Sequence, residues 1–346
     1  DAAVLAAVIL TGLLPFLYNA FSGWFGTGIW GQAGVMLLLL TVLSIPGLPF
    51  EWHNTFKTEA KFGFNKMTPG LWLVDKVKGL ALAAAIGVPL IAALLWFFQR
   101  FPGTWWIWAF FTFFGFQILM MILYPRLIIP LFNTLKPLED GELRQRLLAL
   151  GERLGFSART ILEIDGSKRS AHSNAYFTGF GKFRKIVLYD TLIEQLEPRQ
   201  IESVLAHEIG HYKCGHIPKM IAVSFFMMLG GFAVLGWLTS QAWFFESFGF
   251  QPVDGMVPAI ILFSMLAGLI TFWLGPLSNR MSRKFEYEAD AFAKNAMTGD
   301  PEPLIQSLRT LSEKNLGNFT PHPLYSAFYY SHPTLLEREA GLRETR

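Results

Sequence analysis

The chain has 346 residues, 52% hydrophobic and only 16% charged, against roughly 25% charged in an ordinary soluble domain. It is not a disordered chain, because disorder needs low hydrophobicity and high net charge. A single cysteine excludes a disulfide scaffold and a cysteine-based zinc finger, and a net charge of +3 gives no case for a nucleic-acid partner.

The charges are unevenly placed. No Asp, Glu, Lys or Arg occurs in 2–50, 79–99, 101–125, 220–245 or 255–279, so all 29 basic and 26 acidic residues fall in the other segments. A bilayer core takes about 20 apolar residues as a helix, so each shorter stretch fits one span and the first fits two. The middle of the first, Phe21 to Gln32, has four Gly and two Trp, which suits a turn at the membrane interface. Six spans are expected, near 2–21, 33–49, 79–99, 104–124, 220–243 and 256–276. Buried helices of a large soluble core are the alternative, but five separate charge-free runs of this length are rare in soluble folds. No basic segment precedes residues 2–21, which argues against a cleaved signal peptide.

Six spans leave 51–78, 126–219 and 280–346 on one side, and Arg100 is then the one basic residue on the other. The excess of Lys and Arg makes the first side cytoplasmic. The chain opens at a span, so a further N-terminal segment is expected before Asp1. The organisation read from this is 1–133 as N-terminal spans with the loop 51–78, and 134–219 as a catalytic part. Then come two further spans in 220–279 and a C-terminal catalytic part in 280–346.

Within 51–78, Trp52, Phe56, Phe62 and Phe64 stand among Lys57, Lys61 and Lys66, which fits either a segment in the headgroup region or a cytosolic loop. Leu143, Leu147, Leu150 and Leu154 mark an amphipathic helix over 138–155. Strand-like runs follow at Thr160–Ile164, Ala175–Phe180 and Lys185–Tyr189, the last two separated by Gly181, Lys182, Phe183 and Arg184 as in a hairpin. Pro198 opens a helix running to about Cys214, where Gly215 and Pro218 stop it. A helix over 280–297 continues the last span, and others start near Pro301 and Thr334.

The helix from Pro198 carries His207-Glu208-Ile209-Gly210-His211, an H-E-x-x-H pattern. Residues four apart lie about one helical turn apart on one face, so both imidazoles can reach one ion. Glu208 stands beside them and can take a proton from a zinc-bound water without ligating. The neighbours Ala206, Ile209, Gly210 and Tyr212 are uncharged, as a buried metal helix requires. Two His leave the first shell short of a protein ligand. A metzincin would have Gly and His three and six residues after His211, where this chain has Cys214 and Ile217, so that class is excluded. His216, rotated about 140° from His211 on a continued helix, is expected to cap the helix end or meet headgroups. The third ligand is sought in Ser282-Arg283-Lys284-Phe285-Glu286-Tyr287-Glu288-Ala289-Asp290, where Glu286 and Asp290 share a face. Either Glu286 ligates and Asp290 bonds a ligand imidazole, or all three acids are solvated surface charges.

HEIGH followed after two spans by S-R-K-F-E-Y-E-A-D resembles the integral-membrane gluzincins, specifically the type-1 CAAX prenyl protease family. Further matching pieces are Phe62-Gly63-Phe64-Asn65-Lys66, Ser173 to Gly179, Asn315-Leu316-Gly317, Pro323 to Ala327 and Ser331 to Arg338, in family order over most of the chain. The resemblance implies a mainly α, multi-pass helical membrane protein of seven spans around an intramembrane chamber, six of them in this chain. It implies a gluzincin-type metalloprotease domain with a small β-hairpin and edge strand. It makes Glu286 the third ligand of one Zn2+ per chain, with Asp290 bonding a ligand imidazole. Asn174 and Ala175 would lie on an edge strand that pairs with extended substrate, and His332 and Arg338 would stabilise the oxyanion. Without the resemblance, His332 and Arg338 read as a loop His and a surface Arg, and His53, His172, His322 and Cys214 keep a structural reading.

The expected function is therefore a zinc endopeptidase, its site on the cytoplasmic side of the bacterial inner membrane or endoplasmic reticulum. It would cut prenylated CAAX proteins near the C-terminus. A quality-control protease with no lipid requirement is the alternative, since both need the same chemistry. A transporter with an incidental HExxH predicts ionisable residues inside the spans, and the five charge-free stretches contain none.

Overall fold

The computed structural model describes residues 6, 8, 10–156, 160–178 and 185–344. In chain order its main helices are α1 (Leu13–Phe25), α2 (Ile29–Ser44), α3 (Pro69–Leu82), α4 (Val88–Arg100), α5 (Trp105–Leu123) and α6 (Glu142–Arg153). They continue as α7 (Pro198–Lys213), α8 (His216–Leu238), α9 (Met256–Ala296), α10 (Glu302–Lys314), α11 (Pro323–Tyr329) and α12 (Leu335–Glu344). The strands are β1 (Leu135–Pro137), β2 (Thr160–Ile164), β3 (Ala175–Thr178) and β4 (Lys185–Tyr189). The chain is mainly helical, as expected, with one small sheet.

Among the described residues, five helical runs are long and apolar enough to cross a membrane: Ile29–Glu59, Pro69–Arg100, Trp105–Phe132, His216–Leu238 and Met256–Ala296. The expected span at 2–21 falls partly on residues 2–5, 7 and 9, which lie outside the described residues. The segment 51–78 is mostly helical rather than a loop. α3 begins at a Thr68 cap that accepts from Leu71 N–H, and Lys76 reaches Glu51 Oε2 at 2.6 Å.

Two compact units emerge, one of 1–57, 68–118 and 222–272, the other of 58–67, 119–221 and 273–346. The first has an apolar core that includes Ala33, Val35, Leu39, Ala109, Phe244, Phe250 and Ala259. Small residues let helices approach closely where no hydrophobic effect drives them together in lipid. Gln117 donates from Nε2 to Ser224 Oγ at 2.8 Å, which satisfies both groups within the unit. Phe111, Phe226, Trp237 and Ile270 remain exposed, as lipid-facing side chains of a membrane part would. This unit also holds a cavity of about 310 Å³ with a wholly apolar lining that includes Met36, Phe113, Phe232 and Phe263.

The second unit contains the sheet, in the order β1-β2-β4-β3. β3 and β4 are antiparallel, as the hairpin expectation requires, although Gly181, Lys182, Phe183 and Arg184 lie outside the described residues. β2 and β4 are parallel, with Thr160 opposite Lys185. Side chains alternate between faces: Ile161, Ile186 and Leu188 pack in the core with Ile201, Leu205 and Ile209 of α7, while Leu162, Ile164 and Val187 form a smaller cluster. Among the described residues β3 stands at one edge of the sheet, with no strand paired on its other side.

Candidate active site

Helix α7 is defined by local signals at both ends. Glu197 and Gln200 form a reciprocal capping box at its start, with Glu197 N–H donating to Gln200 Oε1 at 3.0 Å, and Pro198 occupies the first turn. At its end Gly215 adopts φ +69, a left-handed conformation that stops the helix and that glycine takes without steric cost. His207 is buried within α7, and its Nε2 lies 3.1 Å from that of His211 one turn on.

Helix α9 supplies the facing acids. Glu286 and Asp290 are both buried, one turn apart. Glu286 Oε2 lies 3.4 Å from His207 Nε2, and Oε1 lies 3.4 Å from His211 Nε2. Asp290 Oδ1 accepts from His207 Nδ1 at 2.8 Å. The surface-charge alternative for Glu286 and Asp290 therefore fails. The close approach of the helices depends on Gly210, where a Cβ would meet Ala289 Cα at 3.0 Å and its carbonyl oxygen at 3.1 Å.

The donors fit a zinc ion. Ligand atoms about 2.0–2.1 Å from a tetrahedral ion lie about 3.3 Å apart; the two imidazole nitrogens here are 3.1 Å apart, each has a different Glu286 oxygen at 3.4 Å, and one ligand atom from each residue lies within 4.8 Å of the others. Two imidazoles and a carboxylate are a common zinc set with one position left for water or substrate. The carboxylate on Nδ1 fixes the tautomer in which His207 Nε2 carries a lone pair.

Helix α12 brings in Arg338 and positions His332. Thr334 and Glu337 cap its start reciprocally, Thr334 N–H donating to Glu337 Oε2 at 2.8 Å and Glu337 N–H to Thr334 Oγ1 at 3.3 Å. Arg338 is a buried side chain, not a surface one. Its Nε donates to Asp290 Oδ2 at 2.9 Å and its Nη2 to Oδ1 at 2.5 Å, while Nη1 lies 3.4 Å from Glu286. His332 is exposed, with Nε2 3.4 Å from Glu286 Oε1. Its loop is anchored by α9, where Arg283 donates to the Tyr330 carbonyl at 2.6 Å and Asn279 to that of Phe328 at 2.7 Å.

His207, His211, Glu286, His332 and Arg338 line a pocket of about 300 Å³, together with Glu208, Asn174 and Ala175. Asn174 C=O accepts from Tyr189 N–H at 3.1 Å and so faces into the sheet. Alternate residues of an antiparallel edge face opposite ways, which puts the Ala175 backbone on the open edge. Asn174 Oδ1 accepts from Ala175 N–H at 2.8 Å.

Burial raises the Glu208 carboxyl above its usual range, the direction that would suit a general acid–base group. Burial also pulls the His207 imidazole down, but its bonds to Asp290 and Glu286 outweigh that and raise it to about 9. A metal ion would displace that proton.

The expectation for His216 is overturned. It neither caps α7 nor reaches headgroups; it is buried, with Nδ1 2.9 Å from His211 Nδ1 and Nε2 2.9 Å from Glu288 Oε2. A rotation of 100° per residue holds only along a continuous helix. α7 ends at Lys213, and the left-handed turn at Gly215 returns the chain toward His211. Gly215 between two helical patterns was the signal for this reversal. Gly210 and Arg283 also escaped sequence reasoning, because each acts through contacts distant in sequence.

Residues 137–346 match peptidase family M48, and residues 1–134 match the family described as CAAX prenyl protease N-terminal, five membrane helices. The chain is 40% identical to CAAX prenyl protease 1 of Saccharomyces cerevisiae over 98% of its own length and 76% of the relative's. It is 40% identical to the CAAX prenyl protease 1 homolog of Arabidopsis thaliana, over 88% of this chain and 71% of that one. The crystal structure of S. mikatae Ste24p is similar at a TM-score of 0.90 and 34% identity, over 97% of this chain and 82% of that one. The chain belongs to peptidase family M48 and is a multi-pass membrane metalloendopeptidase with the N-terminal part of the CAAX prenyl proteases.

Proposed function

We propose that the protein is a zinc endopeptidase that cleaves prenylated CAAX substrates near their C-terminus. The observation that carries this reading is the convergence of His207, His211 and Glu286 in a pocket that also presents Glu208 and an open strand edge. His207, His211 and Glu286 hold one zinc ion, and Asp290 orients His207. When bound, zinc supplies Lewis-acid activation of a water molecule and a positive charge for the developing oxyanion.

The protein groups do the rest. Glu208 accepts the proton of the attacking water and returns it to the leaving amine, a role that suits a carboxyl raised by burial. His332, exposed on the pocket wall, donates to the oxyanion. Arg338 contributes its charge from a position fixed by Asp290. The Ala175 carbonyl receives the extended peptide as an added strand, while Asn174 Oδ1 holds the Ala175 N–H.

The substrate assignment draws on the relatives' names. The catalytic segments 134–219 and 280–346 work on the cytoplasmic side, where nearly all Lys and Arg lie, joined by the two spans of 220–279 and preceded by those of 1–133. Cleavage of a farnesylated CAAX peptide beside its unlipidated twin tests the assignment. The farnesylated peptide should be cut with at least tenfold higher kcat/KM. Equal rates would favour a quality-control protease with no lipid requirement.

A further inference from the structure

We propose that Glu288 and His216 form a relay that positions His211 as a metal ligand. The inference rests on reading His207, His211 and Glu286 as those ligands. His216 is buried, its ring stacked on Phe285 with centroids 4.2 Å apart and planes 12° from parallel. Both of its nitrogens are engaged, Nδ1 by His211 Nδ1 and Nε2 by Glu288 Oε2, each at 2.9 Å.

Proton counting leaves one arrangement. His211 can ligate through Nε2 only if its own proton sits on Nδ1. That N–H donates to His216 Nδ1, which must then offer a lone pair and carry its proton on Nε2. The Nε2–H donates to the Glu288 carboxylate, an acceptor when ionised. Each contact then has one donor and one acceptor. The reverse arrangement puts a proton on His211 Nε2, among the metal-binding atoms. Lys219 lies 3.7 Å from Glu288 Oε2 and Lys284 3.7 Å from Oε1, two cations that favour the ionised carboxylate. The two ligand imidazoles are thus oriented differently: His207 by a carboxylate directly, His211 by a carboxylate acting through a second imidazole.

Cys214, His216 and Glu288 also bring ligand atoms within 4.8 Å of one another, a set able to hold an ion of its own. The two uses exclude each other. An ion on His216 Nε2 would need the lone pair there and drive the proton to Nδ1, where it would confront the His211 Nδ1–H. The relay therefore requires one bound metal per chain.

The test is zinc affinity of the full chain in detergent, measured by competition with a chromophoric chelator, with the visible spectrum of the cobalt-substituted protein alongside. His216→Phe keeps the ring against Phe285 but has no nitrogen, and should weaken zinc about 10–100-fold and shift the cobalt bands. Glu288→Ala should weaken it in the same direction. Glu288→Gln, whose amide oxygen can still accept, should weaken it less. If His216→Phe does not fold, Glu288→Ala carries the test, since Glu288 is partly exposed. Unchanged affinity and spectrum in these variants, with His211→Ala binding no zinc, would overturn the relay. Zinc retained by His211→Ala would overturn the ligand reading beneath it. A second zinc equivalent that disappears in Cys214→Ser would overturn the relay in favour of a second site.

Discussion

Arg338 grips Asp290 with two nitrogens, at 2.9 and 2.5 Å, and both side chains are buried. Asp290 in turn accepts from His207 Nδ1 at 2.8 Å, so one carboxylate connects a buried cation to the His207 imidazole, one of the proposed metal ligands. Removing one partner of a buried pair strands the other charge and costs about 3–5 kcal/mol. Arg338→Met should therefore lower the thermal midpoint of the detergent-solubilised protein by several degrees. Arg338→Lys should recover only part of that loss, because an ammonium cannot reproduce the two-pronged contact. A midpoint unchanged in Arg338→Met would contradict the burial of this pair.

On the proposed reading Asp290 also sets the orientation of His207 toward the metal. Asp290→Asn keeps the size of the side chain and removes the charge that favours the Nδ1–H tautomer. Zinc affinity should fall about 10–100-fold, the usual cost of losing such a partner, and hydrolysis at limiting zinc should fall with it. Excess zinc should restore part of the activity. Competition titration against a chelator reads the first effect, and activity against added zinc reads the second.

The two helices that carry the proposed ligands meet at Gly210 and Ala289. A methyl group on Gly210 would meet Ala289 backbone atoms at 3.0 and 3.1 Å, and backbone cannot rotate away as a side chain can. Gly210→Ala should cost about 1–3 kcal/mol and separate His211 from Glu286. Zinc affinity should drop more than it does for Ala substitutions at exposed α7 positions such as Lys213. Comparison of the two variants by chelator competition checks this.

Much of the architecture was legible because its causes are local. Five charge-free stretches mark the membrane part, and Glu197, Pro198 and Gly215 delimit the HExxH helix without reference to anything distant. The H-E-x-x-H spacing placed two imidazoles together because one helical turn is fixed geometry. What remained hidden depended on contacts between segments far apart. The parallel pairing of β2 with β4 leaves no mark in either strand. Arg338 read as a surface charge because its partner Asp290 stands 48 residues earlier. His216 was misplaced for a different reason: a rotation rule was carried across the end of a helix.

The central claim is that Glu208 moves the proton in peptide hydrolysis while the metal is held by His207, His211 and Glu286. Glu208→Gln is nearly isosteric and leaves all three ligands in place. The direct measurement is cleavage of a farnesylated CAAX peptide by this variant, purified with its zinc content determined. It should retain one zinc per chain and the wild-type thermal midpoint while turnover falls at least about 10²–10⁴-fold. Turnover near the wild-type rate in a fully metal-loaded Glu208→Gln protein would contradict the account.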